Sequence, residues 1–441
     1  MIEKQNKKDL YKPIFLSVIT IALPTMLEQI MSVFMQYVDT AMVGRLGANA
    51  TAAVSTSTSI TWLVGSIPSA FGVAAMTLIA QALGCGEKKA IRRIAAVSLG
   101  FAIGVGLILE IICLAVSPFV AGWMGASAEV APEARAYFFW ISVPVVLKTV
   151  NIVLASAIRA TKDTRTPMRI GIGANVLNVV LDYVFIYIFD LGVRGAAYAT
   201  ALSMSFSGIA MLIVFFRNNL LSFTREDLNG DREYLRKMWR LSLPVLVINM
   251  ASCAGYVVFA GMVSHMGTVI FAAHSIALGA EELFYIGGYG FKSASNTLVG
   301  IAYGEGNHEK YHVVCVSAVV CTLIIMTISG ILLFIFARPL MGFFTTDSQV
   351  IELGTTVLKM VAFNEPFFGI YVVTEGIYYG LGRTRYPLFV EFFGMWVIRI
   401  LSTWICIHFF GLGLRAVWCC MIADNVTKAI LLAWPLRKLW R

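Results

Sequence analysis

Two aspartates stand inside otherwise apolar segments of the first half of the chain, where a carboxylate is costly unless it is paired, protonated or ligated. Asp39 precedes the turn at Gly47 by eight residues, or roughly 12 Å of helix. Asp182 precedes the turn at Gly192 by ten residues, or roughly 15 Å. If both segments are helices that cross a membrane, these similar distances place the two aspartates at similar depths and predict that their carboxyl groups meet. Two carboxylates in one site do not both stay ionised cheaply, so the pair would hold a proton or bind a small cation.

Neutral oxygen ligands lie near the same depth. Asn178 lies one helical turn before Asp182, so the two share a helix face. Thr200 follows on the next segment, about five residues below the outer surface. Together these side chains predict a site for a proton or a sodium ion. The alternative is structural, with Asp39 paired to Arg45 and Asp182 satisfied inside a helix bundle.

The second half of the chain repeats the first 220 residues later, with a one-residue slip near its end, and the polar site breaks the repeat. The recurring pairs include Leu23-Pro24 and Leu243-Pro244, Met42-Val43 and Met262-Val263, Gly47 and Gly267, and Thr77-Leu78 and Thr297-Leu298. By contrast, Phe259 corresponds to Asp39, Ser402 or Thr403 to Asp182, and Met421 or a neighbour to Thr200. A duplicated half-protein of this length in an apolar chain is typical of transporters built from two bundles. The acidic cluster therefore belongs to the first half alone.

The composition places the chain in a bilayer. Apolar residues make up 59% and charged residues 13%, with a mean hydropathy of +0.79, so a soluble fold could not cover its own surface. Twelve apolar segments are each long enough to span about 30 Å of hydrocarbon; they lie near 14–42, 50–82, 94–117, 134–157, 168–189, 195–216, 241–263, 269–301, 313–337, 350–378, 387–410 and 414–434. We predict an all-α integral membrane protein of twelve transmembrane helices in two six-helix bundles. A parallel pseudo-two-fold axis along the membrane normal relates the bundles.

The basic residues orient the chain. If both termini are cytoplasmic, the inner segments hold 24 lysines and arginines and the outer loops five, as the positive-inside rule requires. We therefore expect a multi-pass protein of the cell membrane with an N-terminal lobe (1–216), a cytoplasmic linker (217–240) and a C-terminal lobe (241–441). The net charge of +9 then reflects membrane orientation rather than nucleic-acid binding. No cleavable signal is expected, since Lys4 to Lys12 lead straight into a spanning segment.

Cysteine and histidine spacing gives no sign of a metal cluster or a catalytic site. The eight cysteines lie mostly in apolar segments, and we expect neither disulfides nor bound metal. The five histidines form no recognisable arrangement of a nucleophile with its base. We expect a protein that is not an enzyme and has no cofactor.

The second half carries charges of its own. Glu282, Arg399 and Asp424 all lie near the membrane midplane by their distance from the predicted outer ends. Two interpretations stay open: the acids are counter-charges for a cationic substrate in a central cavity, or all three form a structural ion-pair network. Glu281 is expected to face away from Glu282. Glu375 is expected at a solvated helix end, and Lys292 to pair or reach toward the interface.

Three motifs carry a family resemblance: Val38–Gly44, Ala80–Gly84 and Val299–Gly304. With the twelve-segment duplication, they resemble the multidrug and toxic-compound extrusion (MATE) family over essentially the whole chain. The resemblance implies antiport, in which an organic compound leaves the cell while protons or sodium ions enter. It also implies a cation-coupling site in the N-terminal lobe formed by Asp39, Asn178, Asp182 and Thr200.

The sequence departs from the family pattern in one place. The seventh span has no acidic residue, so a sodium site in the C-terminal lobe is not expected, and protons are favoured over sodium at the N-lobe cluster. Pro24 lies near the inner end of the coupling helix, where a lost backbone hydrogen bond permits a bend, and is a candidate hinge. Side chains near Asp39 are candidates for an adaptable substrate surface or for plain packing; they are Met31, Phe34, Met35 and Tyr37.

We therefore expect an antiporter that exports cationic or amphipathic organic compounds by alternating access, working as a monomer in the lipid bilayer. The alternative is a lipid-linked oligosaccharide flippase of the same superfamily. A flippase would need several arginines in its cavity to hold a pyrophosphate, and the apolar segments offer mainly Arg399.

Overall fold

The computed structural model consists almost entirely of long helices. It describes residues 2–224, 227 and 232–439, without the side chains of residues 2–10, 59 and 437–439. The first half contains α1 (Ile2–Gly44), α2 (Ala48–Gly84), α3 (Lys88–Trp123), α4 (Ala131–Ser142), α5 (Val145–Ala160), α6 (Arg165–Asp182) and α7 (Gly192–Arg217). The second half contains α8 (Arg232–Ser264), α9 (Thr268–Gly304), α10 (His308–Phe344), α11 (Ser348–Ala362), α12 (Glu365–Gly380), α13 (Arg385–Phe392), α14 (Ser402–His408) and α15 (Leu414–Leu439).

Twelve membrane spans are present, as the sequence predicts. Among the described residues, ten helices are long and apolar enough to cross a bilayer, and two bent pairs supply the other two spans. α4 and α5 meet at 48°, and α11 and α12 meet at 54°. Pro144 and Pro366 lie at these breaks, where a residue without an N–H ends one helix and starts the next. Pro24, in contrast, lies inside the uninterrupted helix α1.

Equivalent glycines start the second span of each half. Gly47 precedes α2 with a φ of 111°, and Gly267 precedes α9 with a φ of 120°. Residues that carry a side chain rarely adopt this backbone region, so the tight turn requires glycine at both places. The repeat in the sequence is thus a repeat of turn geometry.

The chain divides into two compact units at equivalent positions of the repeat. One unit is Leu27–Leu246, and the other is Met1–Met26 with Val247–Arg441. The divisions after Met26 and after Leu246 each lie two residues beyond a repeated proline, Pro24 or Pro244. The start of α1 therefore belongs to the unit that contains most of the second half, and the start of α8 belongs to the unit that contains most of the first half. The lobe bounds inferred from the sequence stay a prediction; α8 already begins at Arg232, and residues 225, 226 and 228–231 of the linker lie outside the description.

Small residues allow close helix packing inside each unit. In the unit Leu27–Leu246, a Cβ on Gly208 would lie 2.5 Å from the carbonyl oxygen of Leu147. In the other unit, a Cβ on Gly376 would lie 2.5 Å from the carbonyl oxygen of Lys292. Helices that pack among lipids gain little from hydrophobicity, so close backbone contact of this kind carries much of their association.

Two segments of π-helix interrupt the α-helical pattern. Tyr183–Ile188 directly follows Asp182 at the end of α6. Phe393–Leu401 joins α13 to α14 and contains Arg399. Wide turns of this kind occur frequently at functional sites. Here each accompanies a fully or nearly fully buried charge, with Asp182 0% and Arg399 4% exposed.

Candidate functional site

The structure brings Asp39 and Asp182 together, as their depths predict. The two carboxyl groups lie close enough across α1 and α6 to act on one another electrostatically, and two such neighbours hold a proton more readily than they both ionise. Asp182 is wholly buried and Asp39 is half-buried. No ion pair of the described residues joins Asp39 to Arg45, so the structural alternative for this aspartate finds no support.

Tyr137 is part of the same cluster, and sequence reasoning missed it. Its ring is 7% exposed, its hydroxyl is a hydrogen-bond partner of Thr200, and both aspartates lie close enough to act on it electrostatically. The sequence does contain a signal for this residue. Val357 occupies the equivalent position in the second half, so Tyr137 breaks the repeat from polar to apolar just as Asp39 does.

Several polar atoms of the cluster have no hydrogen-bond partner. These buried atoms are Oδ1 of Asp39, both carboxylate oxygens of Asp182 and Nδ2 of Asn178. Orphaned polar groups in a low-dielectric interior are costly. Oxygens left without a donor are suited to a proton or a small cation, so the donor set fits either coupling ion.

The second unit places Arg399 and Asp424 in contact. Arg399 Nε lies 2.9 Å from Asp424 Oδ2, and the side chains are 4% and 0% exposed. Arg399 Nε donates no well-directed hydrogen bond, so the contact is an ion pair held by distance rather than by bond geometry. Arg399 also lies over the rings of Tyr256 and Phe259, at 5.5 and 5.8 Å from the centroids.

A second basic residue extends this network, and it was not expected from the sequence. Lys428 Nζ lies 3.1 Å from Asp424 Oδ1 and 3.0 Å from Glu391 Oε1. Glu391 also accepts hydrogen bonds from Tyr371, at 2.8 Å, and from Ser252, at 3.0 Å. The four-residue spacing of Asp424 and Lys428 on one helix face was the available signal. Two cations and two carboxylates thus neutralise one another inside this unit, which agrees with the ion-pair interpretation of Arg399 and Asp424.

Of the two adjacent glutamates on α9, the structure buries Glu281 rather than Glu282. Glu281 is 7% exposed and lies near Arg399 and Glu365, while Glu282 is half-buried and takes no part in the ion pairs of the described residues. Glu365 is 1% exposed, and its Oε2 has no hydrogen-bond partner. Of the two interpretations left open, the ion-pair network holds for Arg399 and Asp424 but does not include Glu282 among the described ion pairs. Depth along a helix does not specify which of two adjacent residues faces the bundle.

The expectation of a solvated Glu375 is also wrong. Glu375 is 4% exposed, and its Oε2 lies 2.6 Å from Lys292 Nζ. Tyr379 donates a hydrogen bond to its Oε1, and Lys292 lies 5.2 Å from the centroid of the Tyr379 ring. The sequence placed Glu375 near a loop by distance, but α12 turns it toward α9.

The remaining candidates lie on α1 before the aspartate. Phe34 is exposed, and Met31, Met35 and Tyr37 are half-buried. Their position is compatible with a substrate surface, and their role stays a prediction. All eight cysteines are free, and no group of three or more potential metal ligands occurs in the part of the chain that the structure describes.

Comparison with known proteins agrees with this architecture. The MatE family model matches residues 24–184 and again 244–405, two copies that begin at the repeated prolines. A probable multidrug resistance protein NorM of Thermotoga maritima is 29% identical over 417 residues, covering 94% of this chain and 90% of that protein. The multidrug export protein MepA of Staphylococcus aureus is 24% identical over 437 residues, covering 96% and 94%.

A solved structure shows the same fold. An outward-facing multidrug resistance MATE family transporter of the MOP superfamily superposes with a TM-score of 0.92 at 23% identity, covering 98% of this chain and 97% of that one. The two copies of the family match account for most of the chain, and the twelve spans agree with them. The chain therefore belongs to the MatE family and is a multi-pass membrane transporter.

Proposed function

We propose that this transporter is a cation-coupled antiporter of the cell membrane that exports cationic or amphipathic organic compounds by alternating access. The observation that carries the proposal is the pair of Asp39 and Asp182 in one half of a duplicated protein, with both oxygens of Asp182 and Oδ1 of Asp39 buried and without a hydrogen-bond partner. The names of the relatives, which are multidrug resistance and export proteins, support the substrate class.

Protons are the coupling ion we propose, and sodium at the same site is the alternative. Protonation turns the carboxylate pair from mutually repelling charges into a hydrogen-bonded pair. Tyr137 and Thr200 adjoin that pair, so their hydrogen bond is the element that a protonation change would disturb. The resulting repacking of the first bundle would lower the affinity for substrate on the outside and release it.

The second unit supports an antiporter over an oligosaccharide flippase. Arg399, the midplane arginine that a flippase would need, is committed to Asp424, with Lys428 beside it. Glu282 is half-buried, and we retain it as a counter-charge for a cationic substrate. Substrate contacts at Met31, Phe34, Met35 and Tyr37 are part of the same proposal.

Proteoliposomes with separately imposed proton and sodium gradients test the coupling. With ethidium as substrate, we expect the proton gradient to drive efflux in the unmodified protein. Asp39→Asn and Asp182→Asn should each lose gradient-driven efflux while keeping substrate counterflow, because each removes one titrating group. Asp190→Asn, which changes an exposed aspartate, is the matched control. Undiminished gradient-driven efflux in both Asp39→Asn and Asp182→Asn would refute the proposal. Efflux driven by the sodium gradient alone would show that sodium, not the proton, is the coupling ion.

Pro24 is our proposed hinge on the coupling helix. It lies inside α1, two residues before the division between the compact units. Replacing it restores a backbone hydrogen bond and stiffens the helix. Pro24→Ala should therefore retain ethidium binding and lose transport; equal transport rates in the variant and the unmodified protein would show that the bend is static.

A further inference from the structure

A cavity of about 450 Å³ lies on the exposed face of α3 in the unit Leu27–Leu246, and it shares no lining residue with the acidic cluster. Its lining runs along α3 from Arg93 to Ile108, and Leu235 and Trp239 of α8 form the facing wall. The fifteen residue steps from Arg93 to Ile108 correspond to roughly 22 Å of helix, about half the thickness of a bilayer with its headgroups. The cavity therefore has the length of one leaflet, and its volume falls within the usual range of ligand pockets, about 300–1,000 Å³.

Two glycines create the space. Gly100 and Gly104 lie one turn apart on the exposed face of α3, and a Cβ built on either would meet nothing within 4 Å. The second half fills the equivalent positions with Val320 and Ile324. The two open glycines are thus specific to the first half of the duplication.

Aromatic packing gives the cavity a fixed wall. Phe101 stacks on Trp239 with ring centroids 6.3 Å apart, and Phe71 stacks on Phe101 at 5.2 Å. Trp239 remains 49% exposed despite these contacts, so one face of its indole is open to an occupant. Apolar side chains that are exposed on a membrane-spanning helix contact lipid chains.

Charged residues stand at one end of the cavity. Arg93 and Asp227 line that end, and Arg92 and Arg93 both act electrostatically on Asp227. Asp227 also accepts hydrogen bonds from the backbone N–H and the hydroxyl of Thr224, at 3.0 and 3.1 Å, and the first of these holds its pKa below the usual range. The carboxylate is therefore engaged within its own turn. Exposed basic residues outnumber exposed acidic ones among the described residues around the starts of α3 and α8; Lys88, Lys89, Arg232, Arg236, Lys237 and Arg240 stand against Glu87 and Glu233.

We propose that this cavity is a binding site for an anionic phospholipid, with one acyl chain along Gly100 and Gly104 and the phosphate at Arg93. An apolar chain gains little by exchanging lipid neighbours for protein, so the basic mouth must provide the selectivity. Basic pockets at the cytoplasmic ends of spanning helices bind anionic headgroups for this reason. Under the proposed topology, the occupant belongs to the cytoplasmic leaflet.

Quenching of Trp239 fluorescence by brominated lipids in nanodiscs tests the site. The Trp239 signal is the difference between the unmodified protein and Trp239→Phe. Brominated phosphatidylglycerol should quench it at a concentration roughly fivefold lower than brominated phosphatidylcholine, the factor that one arginine near an anionic headgroup provides. Equal quenching by the two lipids in the unmodified protein would overturn the proposal.

Two variants separate the headgroup from the chain. Arg93→Gln should abolish the preference for phosphatidylglycerol and leave quenching by phosphatidylcholine. Gly104→Leu places an apolar side chain in the cavity from a position whose Cβ has free space, and it should reduce quenching by both lipids. Gly122→Leu, at another open glycine of α3, is the matched control and should behave as the unmodified protein does. Unchanged quenching in Gly104→Leu would show that no chain enters the cavity.

Native mass spectrometry of the same proteins gives an independent measurement. The unmodified protein and Gly122→Leu should each retain one more phosphatidylglycerol than Arg93→Gln and Gly104→Leu. An equal number of retained lipids in all four proteins would contradict the proposal. Because adducts are counted only on intact folded protein, a variant that fails to fold is recognised by its charge-state distribution.

Discussion

The same place in the two halves of the duplication is polar in one and apolar in the other. In the first half it holds Asp39, Tyr137 and Thr200. In the second half the equivalent positions are Phe259, Val357 and Met421, which all belong to one buried hydrophobic cluster. The helical framework therefore does not require the charges. Because the second half keeps the fold without these polar residues, a functional role explains them better than a contribution to stability.

The second half has buried charges of its own, but they are matched. Arg399 and Lys428 face Asp424 and Glu391, and Lys292 faces Glu375. A buried charge that has a partner keeps its ionised state, because neutralising either member of the pair would leave an uncompensated charge in a low-dielectric interior. The acidic pair of the first half lacks a basic partner among the described ion pairs. One half thus has a site that can change its charge, and the other has charges that are fixed.

The largest effect is expected where the fixed charges of the second half are broken. Asp424→Asn leaves Arg399 and Lys428 without their shared carboxylate in a site that is almost wholly buried. The free energy of unfolding should fall by about 3–5 kcal/mol. Thermal unfolding in detergent measures the loss, with Asp190→Asn as the exposed control. A loss no greater than that of the control would show that the network is not a structural one.

A smaller effect is expected at the two bent spans, which the halves support differently. Glu110 of α3 accepts the backbone N–H of Val146 at 3.1 Å, just beyond the break at Pro144. The equivalent residue in the second half is Gly330, where a Cβ would clash with the carbonyl oxygen of Ala362. Gly330→Ala should destabilise the protein by about 1–3 kcal/mol through overpacking.

A glycine with free space on the same helix provides the control for this comparison. Gly342→Ala has nothing within 4 Å of the new Cβ and should not lower the unfolding temperature. Equal unfolding temperatures for Gly330→Ala and Gly342→Ala would mean that the backbone at the bend of the second half moves to accommodate the new Cβ at little cost. That result would remove the distinction between the two breaks.

The smallest effect concerns the start of the third span in each half. Asn307 caps α10 by accepting the backbone N–H of Lys310 at 2.9 Å, whereas Glu87, its equivalent before α3, makes no such bond. Asn307→Ala should lower the free energy of unfolding by about 1 kcal/mol, and Glu87→Asn should raise it by a similar or smaller amount. Unfolding midpoints of the two variants measure both changes. Opposite signs would confirm that the cap alone distinguishes these helix starts, and equal signs would contradict it.

Much of the candidate site could be predicted because depth in a membrane follows from position along a helix. Asp39 and Asp182 were expected at similar depths from their distances to Gly47 and Gly192, and the structure joins them. The contact partners could not be predicted in the same way. Adjacent residues point about 100° apart, so packing alone decided that Glu281 rather than Glu282 is buried.

The sequence by itself determined the twelve spans, the duplication and the confinement of the acidic cluster to one half, since each depends on local composition or on the fixed offset between the two halves. The tertiary structure alone decided that Tyr137 joins that cluster, that Lys428 completes the ion pairs and that the units divide inside α1 and α8. It also decided that Gly100 and Gly104 open onto a cavity. The physical reason is that hydrophobicity and length place a helix in the bilayer, whereas its rotation and its neighbours depend on contacts between residues far apart in the chain.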